Sequence, residues 1–116
     1  MNDKLVAKSC VPCRGGVPPL PANEIATLLQ QLPGWQAVAA HHLQKMYTFP
    51  DFATALEFVN KAGAIAEAEG HHPDLFLSWG KVEVKTWTHK INGLTESDFI
   101  LAAKIEELYP NTKDKS

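Results

Sequence analysis

Neither sign of charge dominates this chain, and no part of it stays apolar for long. Eleven Lys and Arg face thirteen Asp and Glu, for a formal charge of -2. The basic residues are scattered rather than gathered into a stripe, which argues against nucleic acid or an anionic membrane surface as a partner. No stretch approaches the roughly 20 apolar residues of a membrane span. The opening MNDKLVAKSC lacks the sustained apolar segment of a secretory signal, so a cytoplasmic protein is expected. No repeat short enough for a solenoid is present. Nor does any Ser-His-Asp order, phosphate loop or pair of catalytic carboxylates stand out.

Cysteine is scarce, and both copies fall in one motif, Cys10-Val-Pro-Cys13. A thioredoxin-type pair belongs at a strand-to-helix junction, but this one precedes RGGVPPLP, a glycine- and proline-rich arm. A zinc site needs about two more ligands, and no second Cys-x-x-Cys supplies them. His41 and His42 could do so only through a contact made by the fold. The favoured reading is a small apolar anchor in an extended arm.

What the chain does have is 45% apolar residues in a length of 116, enough for the core of one domain. Residues 1–22 read as an extended arm, 23–109 as the domain and 110–116 as a loose tail. Asn23 is the expected cap of a short helix carrying Ile25, Leu28, Leu29 and Leu32, stopped by Pro33-Gly34. WQAVAAHHLQKMYTF lacks helical periodicity and predicts two strands with a turn near Ala40–His42. From Pro50-Asp51 the apolar stripe Phe52, Ala55, Leu56, Val59, Ala62 and Ala66 predicts the longest helix, ended by Gly70. Leu75–Trp79 and Lys81–Thr88 form a hairpin about Gly80, with Val82, Val84, Thr86 and Thr88 on one face. Thr95 and Asp98 fit a capping box at the start of a last helix that buries Phe99, Ala102 and Ile105. The order αββαββα predicts an α+β two-layer domain, a four-stranded antiparallel sheet with helices on one face. Ile100, Leu101, Ile105 and Leu108, spread around the last helix, point to an oligomer interface.

Three of the five histidines fall in EAEGHHPDLFLSWGKVEVKTWTHK, residues 67–90. Pro73 holds the preceding residue out of the helical region, so His71 and His72 turn away just past the long helix. Glu67, one turn back, is expected to approach His71 and fix its tautomer. His89 ends the hairpin's second strand and can return to the pair. Imidazole exchanges protons near neutrality, and three together suit delivering a proton at one atom while removing one at another. Spacing alone also leaves open ordinary surface histidines and a set of zinc ligands. Asp98 reads equally well as a helix cap. Trp79 and Trp87 suit either the hairpin core or stacking on a flat ring. His41 and His42 carry no chemical signal beyond their turn.

Glu67-x-x-x-His71-His72-Pro73, then Trp79-x-Lys81-Val82-x-Val84-x-x-x-Thr88-His89, then Gly93-Leu94-Thr95-x-x-Asp98 resembles the pterin-4a-carbinolamine dehydratase family. The resemblance spans about residues 24 to 108. It implies a hydro-lyase that removes water from 4a-hydroxytetrahydropterin to give quinonoid dihydropterin, the recycling step after an aromatic amino acid hydroxylase. It implies no metal and no organic cofactor. His71, His72 and His89 fall at the family's catalytic positions, and Glu67, Pro73, Trp87, Thr88 and Asp98 at or beside its pterin pocket, with Asp98 supporting a histidine. Trp79 stands where some relatives have tyrosine, and Trp87 replaces a smaller residue. The partners implied are a small pterin and a homodimer or homotetramer. The alternative is a pterin-binding or protein-interaction module, with a molybdopterin-related role or as a dimerisation partner of a transcription factor.

Overall fold

The computed structural model describes residues 18–109. Most of the expected arm, including Cys10 and Cys13, and the tail at 110–116 lie outside the described residues. The elements run α1 (Ala22–Leu29), β1 (Gln36–Val38), β2 (His42–Thr48), α2 (Phe52–Glu69), β3 (Asp74–Ser78), β4 (Lys81–Thr86) and α3 (Glu96–Glu106). This is the expected αββαββα order. The four antiparallel strands lie side by side as β1-β2-β4-β3.

Alternation along the strands separates the two faces. Leu43 and Tyr47 on β2, with Val82, Val84 and Thr86 on β4, are buried together with Ala55, Phe58, Ala62 and Ala66 of α2 and Phe99 and Ala102 of α3. On the other face Met46, Glu83 and Phe76 lie abreast in the register, and Met46 and Phe76 stay about half exposed. Helices therefore cover one side of the sheet.

Local chemistry sets the helix ends. Asp51 caps α2 by accepting from the Thr54 hydroxyl (2.6 Å) and amide (2.8 Å). Those two bonds, the hydroxyl's foremost, hold its carboxyl below the usual range. Gly70 ends α2 at φ 69, the left-handed conformation glycine accepts without a Cβ clash. The first helix differs from expectation: its N-cap is Pro21 rather than Asn23, and Asn23 lies inside the first turn. Proline's fixed φ suits that position, and the Pro21 carbonyl takes the Glu24 and Ile25 amides at 3.0 Å each.

The last helix also differs. Ile100, Leu101 and Ile105 are buried in the chain's own core, and Leu108 packs partly buried against it. They form no free apolar stripe, because α3 has the sheet on one side and α2 on another. Its C-terminal end is tied down by Glu106 Oε1, which accepts from Tyr47 Oη (2.5 Å), Lys45 Nζ (2.9 Å) and Trp35 Nε1 (3.1 Å). Burial first, then the Glu106 carboxylate, push the Tyr47 phenol well above its ordinary value of 10, so it remains a donor.

Gly80, at the β3–β4 turn, is held against the strand that precedes α2. Its carbonyl accepts from the Phe49 amide (2.8 Å), and a Cβ added there would lie 2.8 Å from the Phe49 carbonyl oxygen. Backbone must move to admit it. Gly80→Ala is expected to lower stability by about 1–3 kcal/mol, the usual cost of overpacking. It should appear as a reduced urea midpoint at unchanged slope.

Candidate active site

The end of α2 controls where the first two histidines go. After Gly70, the His71 amide still bonds to Ala66 O (3.2 Å), but the chain has left the helix. His71 swings inward and is buried, whereas His72 stays exposed. The expected Glu67–His71 contact is therefore not made, because it presupposed a helix continuing through His71. Glu67 Oε1 pairs instead with His72 Nε2 at 2.9 Å, both side chains largely in solvent.

The partner of His71 is Asp98, whose Oδ1 lies 2.6 Å from His71 Nε2. Asp98 is completely buried and takes three further donors: Thr86 Oγ1 on Oδ1 (2.8 Å), with Thr88 Oγ1 (2.8 Å) and the Thr95 amide (3.1 Å) on Oδ2. The carboxylate acts as acceptor in every one of these bonds, so His71 carries a proton on Nε2. That leaves Nδ1 as the nitrogen able to exchange a proton. The capping-box reading of Asp98 and its support of a histidine both hold: one oxygen caps α3, and the other orients His71.

The third histidine arrives by a different route from the one expected. Strand β4 stops at Thr86, not Thr88. Thr88 pairs with Gly93 as an isolated bridge, and His89 opens a short 3-10 turn over His89–Ile91, closed by Asn92 at φ 52. This tight return brings His89 to the same open cleft as the pair. The cleft, about 210 Å³, is lined by Gly70, His71, His72, Trp87, Thr88, His89 and Lys90. Trp87 and Thr88 are thus on its wall. Glu67, Pro73 and Asp98 are not: Glu67 touches it through His72, and Asp98 lies behind His71 and Thr88. Trp79 is away from it and largely exposed, at the β3–β4 turn.

His41 and His42 do not line the cleft, but they reach the outer side of its Trp87 wall. The Leu43↔Thr86 pairing brings the start of β2 beside Trp87. The indole then packs at a tilt against His89 at 4.4 Å between centroids, against His41 at 5.0 Å and against His42 at 5.9 Å. Which strand they would face was not readable before the pairing order was known. Among the described residues no group of three His, Cys, Asp or Glu is placed to hold a metal ion, and no helix is long and apolar enough to cross a membrane.

The α+β fold thus gathers three imidazoles around one open cleft, one of them oriented by a buried carboxylate. The sequence profile of the family described as Pterin 4 alpha carbinolamine dehydratase matches residues 18–108, and the chain belongs to that family. It is 52% identical over 105 residues to a relative from Rubrobacter xylanophilus, covering 90% of this chain and 98% of the relative. It is 60% identical over 103 residues to one from Rickettsia canadensis, covering 88% and 94%. Both relatives carry names of the pterin-4-alpha-carbinolamine dehydratase type. Among solved structures it resembles a transcriptional coactivator/pterin dehydratase from Brucella melitensis, with a TM-score of 0.74 and 34% identity over 78% of this chain and 98% of that one.

The Asp98 node makes an unequal prediction. Thr86→Val removes one donor and leaves three, and is expected to cost about 1 kcal/mol. Asp98→Ala strands three buried side-chain donors and a helix cap, and is expected to cost about 3 kcal/mol or more. Urea unfolding of the two variants side by side checks the order.

Proposed function

We propose that the protein dehydrates 4a-hydroxytetrahydropterin to quinonoid dihydropterin by histidine acid–base catalysis. The single observation supporting this reading is that His71, His72 and His89 line one cleft, with the tautomer of the first fixed by a buried carboxylate.

The reaction breaks the C4a–O bond, forms C4a=N5 and removes the N5 proton. Hydroxide leaves a saturated carbon slowly, so an imidazolium should protonate the departing oxygen as water. A neutral imidazole should take the N5 proton as the double bond forms. No net proton is consumed, because the proton collected at nitrogen balances the one delivered at oxygen. We assign these two transfers to His72 and His89, the exposed members of the set, which solvent can reload between turnovers. His71, locked through Nε2, offers Nδ1 to hold the pterin in place or share the acid role. The Trp87 indole supplies a flat apolar wall suited to a planar bicyclic ring. The Glu67–His72 pair is too exposed to contribute much to stability. Its use is to orient the His72 ring.

Freshly generated 4a-hydroxytetrahydropterin, followed optically as it dehydrates, provides the assay. The wild-type chain is expected to accelerate the reaction well above buffer. His72→Ala and His89→Ala should each lower kcat/KM by about 10²- to 10⁴-fold, with an unchanged far-ultraviolet circular dichroism spectrum. No acceleration by folded wild-type protein overturns the activity. Full activity in either variant overturns its assignment.

A further inference from the structure

The turn that returns His89 to the cleft buries none of its own residues. His89, Lys90 and Asn92 are exposed, and Ile91 is only partly covered. A 3-10 turn closes with poorer hydrogen-bond geometry than an α-helical one. Here the two closing bonds, Ile91 N–H to Thr88 O and Asn92 N–H to His89 O, are 3.2 Å each. The Thr88–Gly93 bridge fixes the base of the turn. Its tip, where Asn92 stands at φ 52, is held from outside by His41, 51 residues earlier in the chain. His41 Nε2 lies 2.9 Å from Asn92 Oδ1. An amide oxygen only accepts, so the imidazole donates.

Water competes for a hydrogen bond at the surface, and an isolated one contributes little. This donor, however, is fixed before it bonds. Ala39 and Ala40, at φ 53 and 54, turn the chain back so that the His41 amide reaches Val38 O at 2.8 Å. Left-handed backbone is uncommon at residues other than glycine, and two in succession make this return tight. The other ring nitrogen, Nδ1, lies 3.0 Å from His42 Nδ1, with the two rings edge to face at 5.3 Å. One side of the His41 ring packs at a tilt against Trp87, 5.0 Å away, and the same indole lies 4.4 Å from His89. A donor held on these sides loses little freedom when it bonds. Two routes therefore lead from His41 to His89, one through Asn92 and the backbone of the turn, the other through Trp87.

We propose, on the acid–base role given to His89, that His41 is a positioning residue for its proton transfer. The Nε2–H of His41 holds Asn92, Asn92 closes the turn, and the turn sets where the His89 imidazole meets the substrate. His41 itself lies outside the cleft. Displacing a proton-transfer group weakens the transition state more than it weakens binding, so the loss falls on kcat. The Trp87 wall stays in place as long as a ring remains at position 41.

Two substitutions isolate the bond. His41→Phe keeps a ring against Trp87 and removes the N–H, whereas Asn92→Gly keeps the left-handed turn and removes the acceptor. Each is expected to lower kcat about 10- to 10²-fold with little change in KM. The double variant should fall no further than either alone, because both changes remove one bond. His41→Gln, whose amide N–H has similar reach, should recover most of the loss. Nitrogen-15 relaxation supplies a readout that needs no turnover. Backbone order parameters over residues 89–92 should drop from about 0.85 towards 0.6 in His41→Phe, with those of α2 unchanged. Should His41→Phe not fold, Asn92→Gly carries both readouts. Wild-type kcat in His41→Phe overturns the proposal. So do losses that multiply in the double variant, or a His41→Gln variant no better than His41→Phe. A wild type that fails to accelerate dehydration overturns the activity, and the order parameters then decide the positioning alone: unchanged values over 89–92 overturn it.

Discussion

One carboxylate joins the layers of this architecture and orients an imidazole of its cleft. Asp98 collects donors from β4, from the segment after it, from the end of α2 and from the start of α3. A buried carboxylate is costly unless its lone pairs are filled. Here they are filled by groups that would otherwise be stranded donors themselves. The two helices that cover the sheet are thereby fixed to each other and to its central strand at one point. His71 stands at that point, so the force that joins the layers also sets the angle at which one imidazole meets the cleft.

Glu106 gives the useful contrast. It too gathers donors, from Trp35, Lys45 and Tyr47, and it ties the far end of α3 to β2. No histidine is among its partners and it does not line the cleft. Two acidic residues thus pin opposite ends of one helix, and only the one whose donors include an imidazole reaches the cleft through it. Burial of a carboxylate alone does not distinguish the two; the kind of donor it meets does.

The elements were largely legible because each rests on short-range physics. The apolar stripe from Phe52 to Ala66, the glycine at 70, the alternation from Val82 to Thr88 and the Thr95–Asp98 box all act within a few residues. The pairings among site residues were less legible. Glu67 and His71 stand one turn apart in sequence, yet Gly70 turns the chain between them, and Asp98, 27 residues away, becomes the partner. Similarly, Ile100 and Leu101 read as surface on a single helix wheel, because the wheel does not reveal that two layers enclose α3. The β1–β2 turn, expected near Ala40–His42 from loss of helical period, centres instead on Ala39 and Ala40, with His42 already in β2; alanine, disfavoured at positive φ, gave no turn signal there.

Trp87 connects the histidines that the sequence presented as separate groups. Antiparallel pairing of Leu43 with Thr86 makes the start of β2 and the end of β4 neighbours. An indole at position 87 must therefore rest on whatever occupies 41 and 42. It rests on imidazoles there, and its contact with His89 places the same ring against the cleft. A smaller residue at 87 would leave the two groups unconnected. With tryptophan, the hydrogen bonds that hold the rings of His41 and His42, to Asn92 Oδ1 and Gln44 Oε1, also steady one wall of the cleft.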